Sequence, residues 1–246
     1  MTMRPGPSAT LLLLAIGGGC AADERDSSLA GPVPTPDAAF HAAGMKRLGS
    51  KGGWWRSANA WRDPVIPVCW ETTPPAQATE RRWVQDAVER SWDANSRIDF
   101  TGWEQCPART RDSTGIRARL RNKGGAVTAG LGNVLSGVRN GVRLTYTFAR
   151  WNRWCAATEA LRESCLRANA VHEFGHALGF AHEHNRHDTP RTCTARRQGS
   201  NGDEILTPWD PLSIMNYCNA DRMRESGRLS EGDIESVRLA YGAPTD

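Results

Sequence analysis

Apolar positions along this chain recur in two periods, and the alternation between them lays out the elements. Val65-Ile66-Pro67-Val68-Cys69-Trp70 is a dense apolar run whose proline places it at a sheet edge or a strand start. From Gln77 to Asn95, Trp83, Val84, Ala87, Val88 and Trp92 recur at helical spacing, with Arg81, Arg82, Asp86, Glu89 and Arg90 between them. That predicts an amphipathic helix whose tryptophan stripe faces a core. Ile98 to Trp103, Gly115 to Leu120 and Val142 to Phe148 alternate as strands. Residues 149–164 read as a connecting loop. A helix is expected from about Ser164 to Leu178, with Leu166, Ala170, Val171, Phe174 and Leu178 on its core side. The chain after His182 is irregular as far as Met215. Ser230-Glu231-Gly232-Asp233 has the form of a capping box opening a last helix, with Ile234, Val237 and Tyr241 buried and Gly242 as its stop.

The two ends frame this region. Arg4, the apolar run Leu11 to Ile16 and the small residues Gly17-Gly18-Gly19 make residues 1–20 an export signal, too short to span a bilayer. Cys20 directly after the glycines leaves two routes open: lipidation of Cys20 at a new N-terminus, with membrane attachment, or secretion with Cys20 discarded. Residues 21–58, centred on Gly31-Pro32-Val33-Pro34-Thr35-Pro36, cannot bury a core and read as a linker or short pro-segment. Trp54, Trp55 and Trp61 are expected to pack onto the domain. Residues 59–246 remain as one domain.

Composition narrows the classes. With 39% hydrophobic and 24% charged residues the chain is an ordinary globular one. A formal charge of +4, with no basic run interleaved with aromatics, argues against nucleic acid as a partner. Setting Cys20 aside leaves Cys69, Cys106, Cys155, Cys165, Cys193 and Cys218, an even set that in an exported protein implies disulfides. Joining neighbours in sequence gives Cys69–Cys106, Cys155–Cys165 and Cys193–Cys218 as the expected layout. No C-x-x-C pair supports a thiolate metal site.

The chemistry is concentrated in His172-Glu173-Phe174-Gly175-His176-Ala177-Leu178-Gly179-Phe180-Ala181-His182. On a helix, His172 and His176 share one face a turn apart and can hold one metal ion; zinc suits imidazole nitrogens in tetrahedral geometry. Glu173 is free to act as general base toward a water that the metal activates. Gly179 can take positive φ, so the helix can stop there and the chain can return His182 as a third ligand. Three nitrogens leave one position open, as in a catalytic rather than a structural site. His184 and His187 read as loop histidines, and Arg186 and Asp188 as residues that orient that loop.

This stretch resembles the zinc signature of the metzincin metallopeptidases, and Ser213-Ile214-Met215-Asn216-Tyr217 is similar to their Met-turn. Glu183 after the third histidine and Tyr217 resemble the astacin-like branch, which usually carries His where Asn216 stands here. Leu229 to Ile234 and Leu239 to Gly242 are more similar to matrixins. The resemblance spans roughly residues 60–242 and implies an α+β fold: a twisted mixed sheet backed by helices, with a smaller irregular C-terminal subdomain. It implies one catalytic zinc on His172, His176 and His182, Met215 beneath it, Glu173 as base and Tyr217 as an oxyanion stabiliser. It also implies a cleft-edge strand within Gly124 to Asn133 that receives an extended peptide. The expected activity is that of an exported, monomeric zinc endopeptidase acting on proteins or peptides. A surface binding module that retains zinc without turnover, and a zinc hydrolase of cell-wall peptides, are the two alternatives.

Overall fold

The computed structural model describes residues 53–245. The export signal, Cys20 and most of the expected linker lie outside the described residues. Its sheet has five strands: β2 (Val65–Trp70), β3 (Asp99–Gln105), β4 (Ile116–Arg121), β5 (Val127–Thr128) and β6 (Val142–Thr145). They lie in the order β3-β2-β4-β6-β5, and only β5, at one edge, runs antiparallel to its neighbour. A separate ribbon pairs β1 (Trp54–Trp55) with β7 (Glu204–Ile205). Three α-helices among the described residues complete the fold: α1 (Ala78–Val88), α2 (Glu159–Ala177) and α3 (Glu231–Tyr241). The α+β architecture and the irregular C-terminal part are those expected. Residues 53–58, assigned by composition to the linker, are part of this fold through β1.

Of the two placements its proline allowed, a sheet edge or a strand start, β2 does not take the edge. It lies between β3 and β4, and the reason is local. Pro67 precedes the first β2–β4 pair, Val68 with Ile116. Gly115 passes so close to the Pro67 carbonyl that a Cβ would lie 1.8 Å from its oxygen. The missing N–H therefore faces a stretch where the ladder has not begun.

Two irregularities aim aromatic rings at α2. Between Val68 and Cys69 the β2–β3 register shifts, with Gly102 at φ 92° and Trp103 at φ 64° forming the bulge. A Cβ on Gly102 would meet the Val68 carbonyl oxygen at 2.9 Å, so glycine is required there. The bulge turns the Trp103 ring onto Phe174, 5.5 Å between centroids, while Phe100 meets Phe174 edge-on at 5.1 Å. The predicted helix from Gln77 is interrupted by a π-helical turn, Glu89–Asp93, after α1. That turn carries Trp92, whose Nε1 donates to the Val171 carbonyl at 2.9 Å and whose ring stacks on Phe180. The tryptophan stripe is core, as expected: Trp83 and Trp92 are both buried.

Boundaries differ in two further places. α2 begins at Glu159, ahead of the expected Ser164, because Thr158 caps it by accepting a hydrogen bond from Leu161 N at 3.2 Å. β6 ends at Thr145, short of the expected Phe148, where the backbone turns to φ 55°. All three disulfides join the expected partners, Cys69–Cys106, Cys155–Cys165 and Cys193–Cys218. No helix among the described residues is long and apolar enough to cross a membrane.

Asp93, in the π-helical turn, accepts from Phe100 N at 2.9 Å through one oxygen, and its other oxygen is buried without a partner. Burial, reinforced by Asp99 and Glu89, pushes its carboxyl up to about 7. Raised in the fold, this group favours the folded state in its neutral form, so its contribution is full at acid pH and lost as pH rises from about 4 to about 7. Asp93→Asn is expected to gain stability relative to wild type across that window. Thermal unfolding of both proteins between pH 5 and pH 8 checks this; a constant difference would contradict it.

Candidate metal centre

The centre is built on the end of α2. Leu178 and Gly179 stop the helix through a pair of bonds, Phe180 N to the Gly175 carbonyl at 3.0 Å and Gly179 N to the His176 carbonyl at 2.9 Å. Gly179 takes φ 100°, and a Cβ there would press on Trp55 Nε1 at 2.9 Å. The last helical carbonyls, which have no partner within the helix, are taken by aromatic donors. Trp61 Nε1 donates to the Ala177 carbonyl at 2.7 Å; Trp55 Nε1 and Tyr241 Oη both donate to that of Leu178, at 3.0 and 2.6 Å. Ala181 N donates to the Trp54 carbonyl, so β1 braces the turn that returns His182. Trp54, Trp55 and Trp61 thus pack on the domain as expected, and they do so at the site.

His172, His176 and His182 come together, all buried, with their ligating atoms within 4.8 Å of one another. Each Nδ1 faces a backbone carbonyl: Ile214 at 2.8 Å, Phe180 at 2.7 Å and Gln198 at 2.9 Å. A carbonyl only accepts, so each Nδ1 carries the ring proton and each Nε2 presents a lone pair. The Nε2 atoms of His172 and His176 both lie 3.2 Å from that of His182. Nitrogens sharing one tetrahedral zinc at about 2.0–2.1 Å lie roughly 3.3 Å apart. Burial, first of all causes, lowers all three imidazoles: His176 to about 4, His182 to about 2, and His172 well below its ordinary value. The rings are therefore neutral, and three converging lone pairs have no hydrogen to share. A cation is what satisfies them.

Glu173 borders the same cleft, of about 230 Å³, with Ala126 to Leu131, His176, His182, Gln198, Gly199, Ser200 and Tyr217. Burial pushes its carboxyl up to about 7, against the lowering effect of a hydrogen bond from Thr128 and the charges of Arg222, Arg121 and Arg143. The Tyr217 ring lies over His172 and His182, at 5.4 and 4.6 Å between centroids, and against His184 at 4.8 Å. β5, within the expected Gly124 to Asn133 stretch, forms the free edge of the sheet beside this cleft.

Sequence reasoning missed Thr128, whose Oγ1 lies 2.6 Å from Glu173 Oε2. It also missed Arg222, whose guanidinium sits 4.2 Å over the Tyr217 ring. Neither belongs to a motif, and only the fold brings them in. His184 and His187 both lie in the loop after His182: His184 is buried, its Nδ1 accepting from Tyr217 N, and His187 is exposed. Arg186 does orient its loop, with Asp188 held in a two-pronged pair and Glu183 bonded at 2.8 Å. Asn216, the departure from the astacin pattern, donates to the Asp210 carbonyl and accepts from Cys218 N, so it closes the turn without entering the site.

The described fold aligns with a solved structure of myroilysin over 78% of this chain and 100% of that one, at TM-score 0.52 and 17% identity. The chain shares the fold of myroilysin. A second myroilysin crystal structure aligns at TM-score 0.48 and 14% identity, over 80% of this chain and 93% of that one. High choriolytic enzyme 1, a hatching-enzyme zinc-protease from the medaka Oryzias latipes, aligns at 0.45 and 19%, over 77% of this chain and 97% of that one. No protein-family model and no curated protein matches the sequence.

Met215 packs against the helix at Gly175, between the positions of His172 and His176. It is buried, and Met215 Sδ would lie 2.5 Å from a Cβ placed on Gly175, with Trp92 at 3.0 Å. Alanine in an ordinary helix interior gains about 1 kcal/mol over glycine. Overpacking here costs about 1–3 kcal/mol, so the sign reverses. Gly175→Ala is expected to lower both Tm and metal retention; a raised Tm would show that Met215 moves aside freely.

Proposed function

We propose that this chain is a zinc endopeptidase. The observation that carries the reading is the convergence of three unprotonated imidazole nitrogens in a cleft that also holds a buried glutamate and a free sheet edge. His172, His176 and His182 would hold the zinc, since buried neutral nitrogens at this spacing suit it. When bound, zinc supplies Lewis-acid activation of water and of a peptide carbonyl.

The chain's own residues do the rest. β5 offers unpaired backbone groups to which an extended peptide can add as a further strand, which fixes the scissile bond in the cleft. Glu173 takes a proton from the attacking water and passes it to the leaving amine. Tyr217, stacked on the His172 ring under the Arg222 guanidinium, offers its hydroxyl to the developing oxyanion. The three disulfides fit an oxidising compartment, reached through the 1–20 signal with Cys20 either lipidated or discarded. Residues 59–246, preceded by the bracing strand β1, act as one monomeric catalytic unit on protein or peptide substrates.

Expressed as the full chain under oxidising conditions, the protein is expected to hold one zinc and to cleave casein in a chelator-sensitive way. Glu173→Gln should keep the zinc and lower the rate by on the order of a hundredfold or more. Zinc in both proteins without cleavage by either would favour the binding-module alternative. Tyr217→Phe should lower kcat by roughly ten- to a hundredfold with KM little changed. An unchanged kcat would remove Tyr217 from the transition state.

A further inference from the structure

The Thr128 side chain has a place in this site that no motif assigns. It belongs to β5, the two-residue edge strand, whose Val127 and Thr128 pair with Arg143 and Val142 of β6. Its Oγ1 lies 2.6 Å from Glu173 Oε2 and 3.0 Å from the Glu173 backbone carbonyl oxygen. A hydroxyl has one proton and two lone pairs, so it donates to one of these at a time. Toward an ionised carboxylate it donates to Oε2, the shorter and charge-assisted bond. Toward a carboxyl protonated on Oε2, it accepts that proton's hydrogen bond and turns its own hydrogen to the backbone carbonyl. Both states of Glu173 are thus held in one position. Among the described residues, no other side chain is within hydrogen-bonding distance of this carboxylate.

We propose that Thr128 is the positioning residue for the glutamate base, anchoring Oε2 so that Oε1 is the oxygen presented to the reacting water. The proposal rests on Glu173 being the base. It ties two functions to one short strand: the backbone of β5 that would receive the peptide and the hydroxyl that aims the base meet in Thr128. A shift of this edge as substrate docks would be felt directly at Glu173.

Thr128→Val is the direct test, because it keeps the shape and the strand preference and removes only the hydroxyl. Relative to wild type cleaving fluorescently labelled casein, kcat should fall by about ten- to a hundredfold. KM should stay within about twofold and zinc content should be unchanged, as expected for an interaction that aims the base rather than binding substrate. Thr128→Ser, which retains the hydroxyl, should restore kcat to within a few-fold of wild type. Crystal structures of the variants give a readout independent of activity: in Thr128→Val the Glu173 carboxylate should leave its present rotamer, and in Thr128→Ser it should keep it. An unchanged kcat in Thr128→Val, a Glu173 carboxylate that stays in place without the hydroxyl, or a serine variant as slow as the valine one would each overturn the proposal. If neither wild type nor Glu173→Gln cleaves casein, it is the endopeptidase reading that fails, while the carboxylate position in Thr128→Val still reports on the anchoring.

Discussion

Three imidazole lone pairs are directed at one point, and most of this structure exists to hold them there. Neutral Nε2 atoms at 3.2 Å gain nothing from one another, so the arrangement is unfavourable until a cation joins it. What keeps it is a set of backbone carbonyls, one per ring, each from a different segment: Ile214 in the Met-turn, Phe180 in the helix stop, and Gln198 in the long loop. Each carbonyl fixes a tautomer and a ring plane together. The metal site is thus specified less by the histidines than by the segments that orient them.

Those segments are in turn fixed by contacts far from the cleft. The helix stop is held by Trp55, Trp61 and Tyr241, donors from the first and last parts of the fold, at the carbonyls of Ala177 and Leu178. Asp233, from the capping box of α3, accepts from Ser213 Oγ at 2.7 Å and Ile214 N at 2.8 Å, so one carboxylate caps a helix and pins the Met-turn. The Cys193–Cys218 disulfide ties the loop that carries Gln198 to the residue after Tyr217. On the other side of α2, Phe100 and Trp103 hold Phe174, the neighbour of Glu173, so the glutamate is set by packing on one side and by the Thr128 hydroxyl on the other.

Much of this was legible in the chain because local rules decide it. His172, His176, Gly179 and His182 read directly as two ligands on a helix face, a stop and a returning ligand, and the capping box at Ser230 and the disulfide layout were read in the same way. What was not legible depends on pairs distant in sequence. Pro67 allowed an edge strand or a strand start, and β2 lies inside the sheet with Pro67 just ahead of the point where the β4 ladder begins. The start of α2 lies ahead of Ser164 because Thr158 caps the helix in a stretch with no apolar period. That Trp54 and Trp55 pack on the domain is legible, but not that they do so as a strand paired with Glu204–Ile205. Thr128 and Arg222 reach the site through tertiary packing, which no spacing encodes.

The measurement that bears most directly on the centre is the zinc X-ray absorption edge and fine structure of the purified full chain. Zinc bound by His172, His176 and His182 should give three imidazole nitrogens at about 2.0–2.1 Å with one further light ligand and no sulfur. A sulfur shell at about 2.3 Å, or a protein that takes up no zinc with all three histidines intact, would contradict the assignment of this centre.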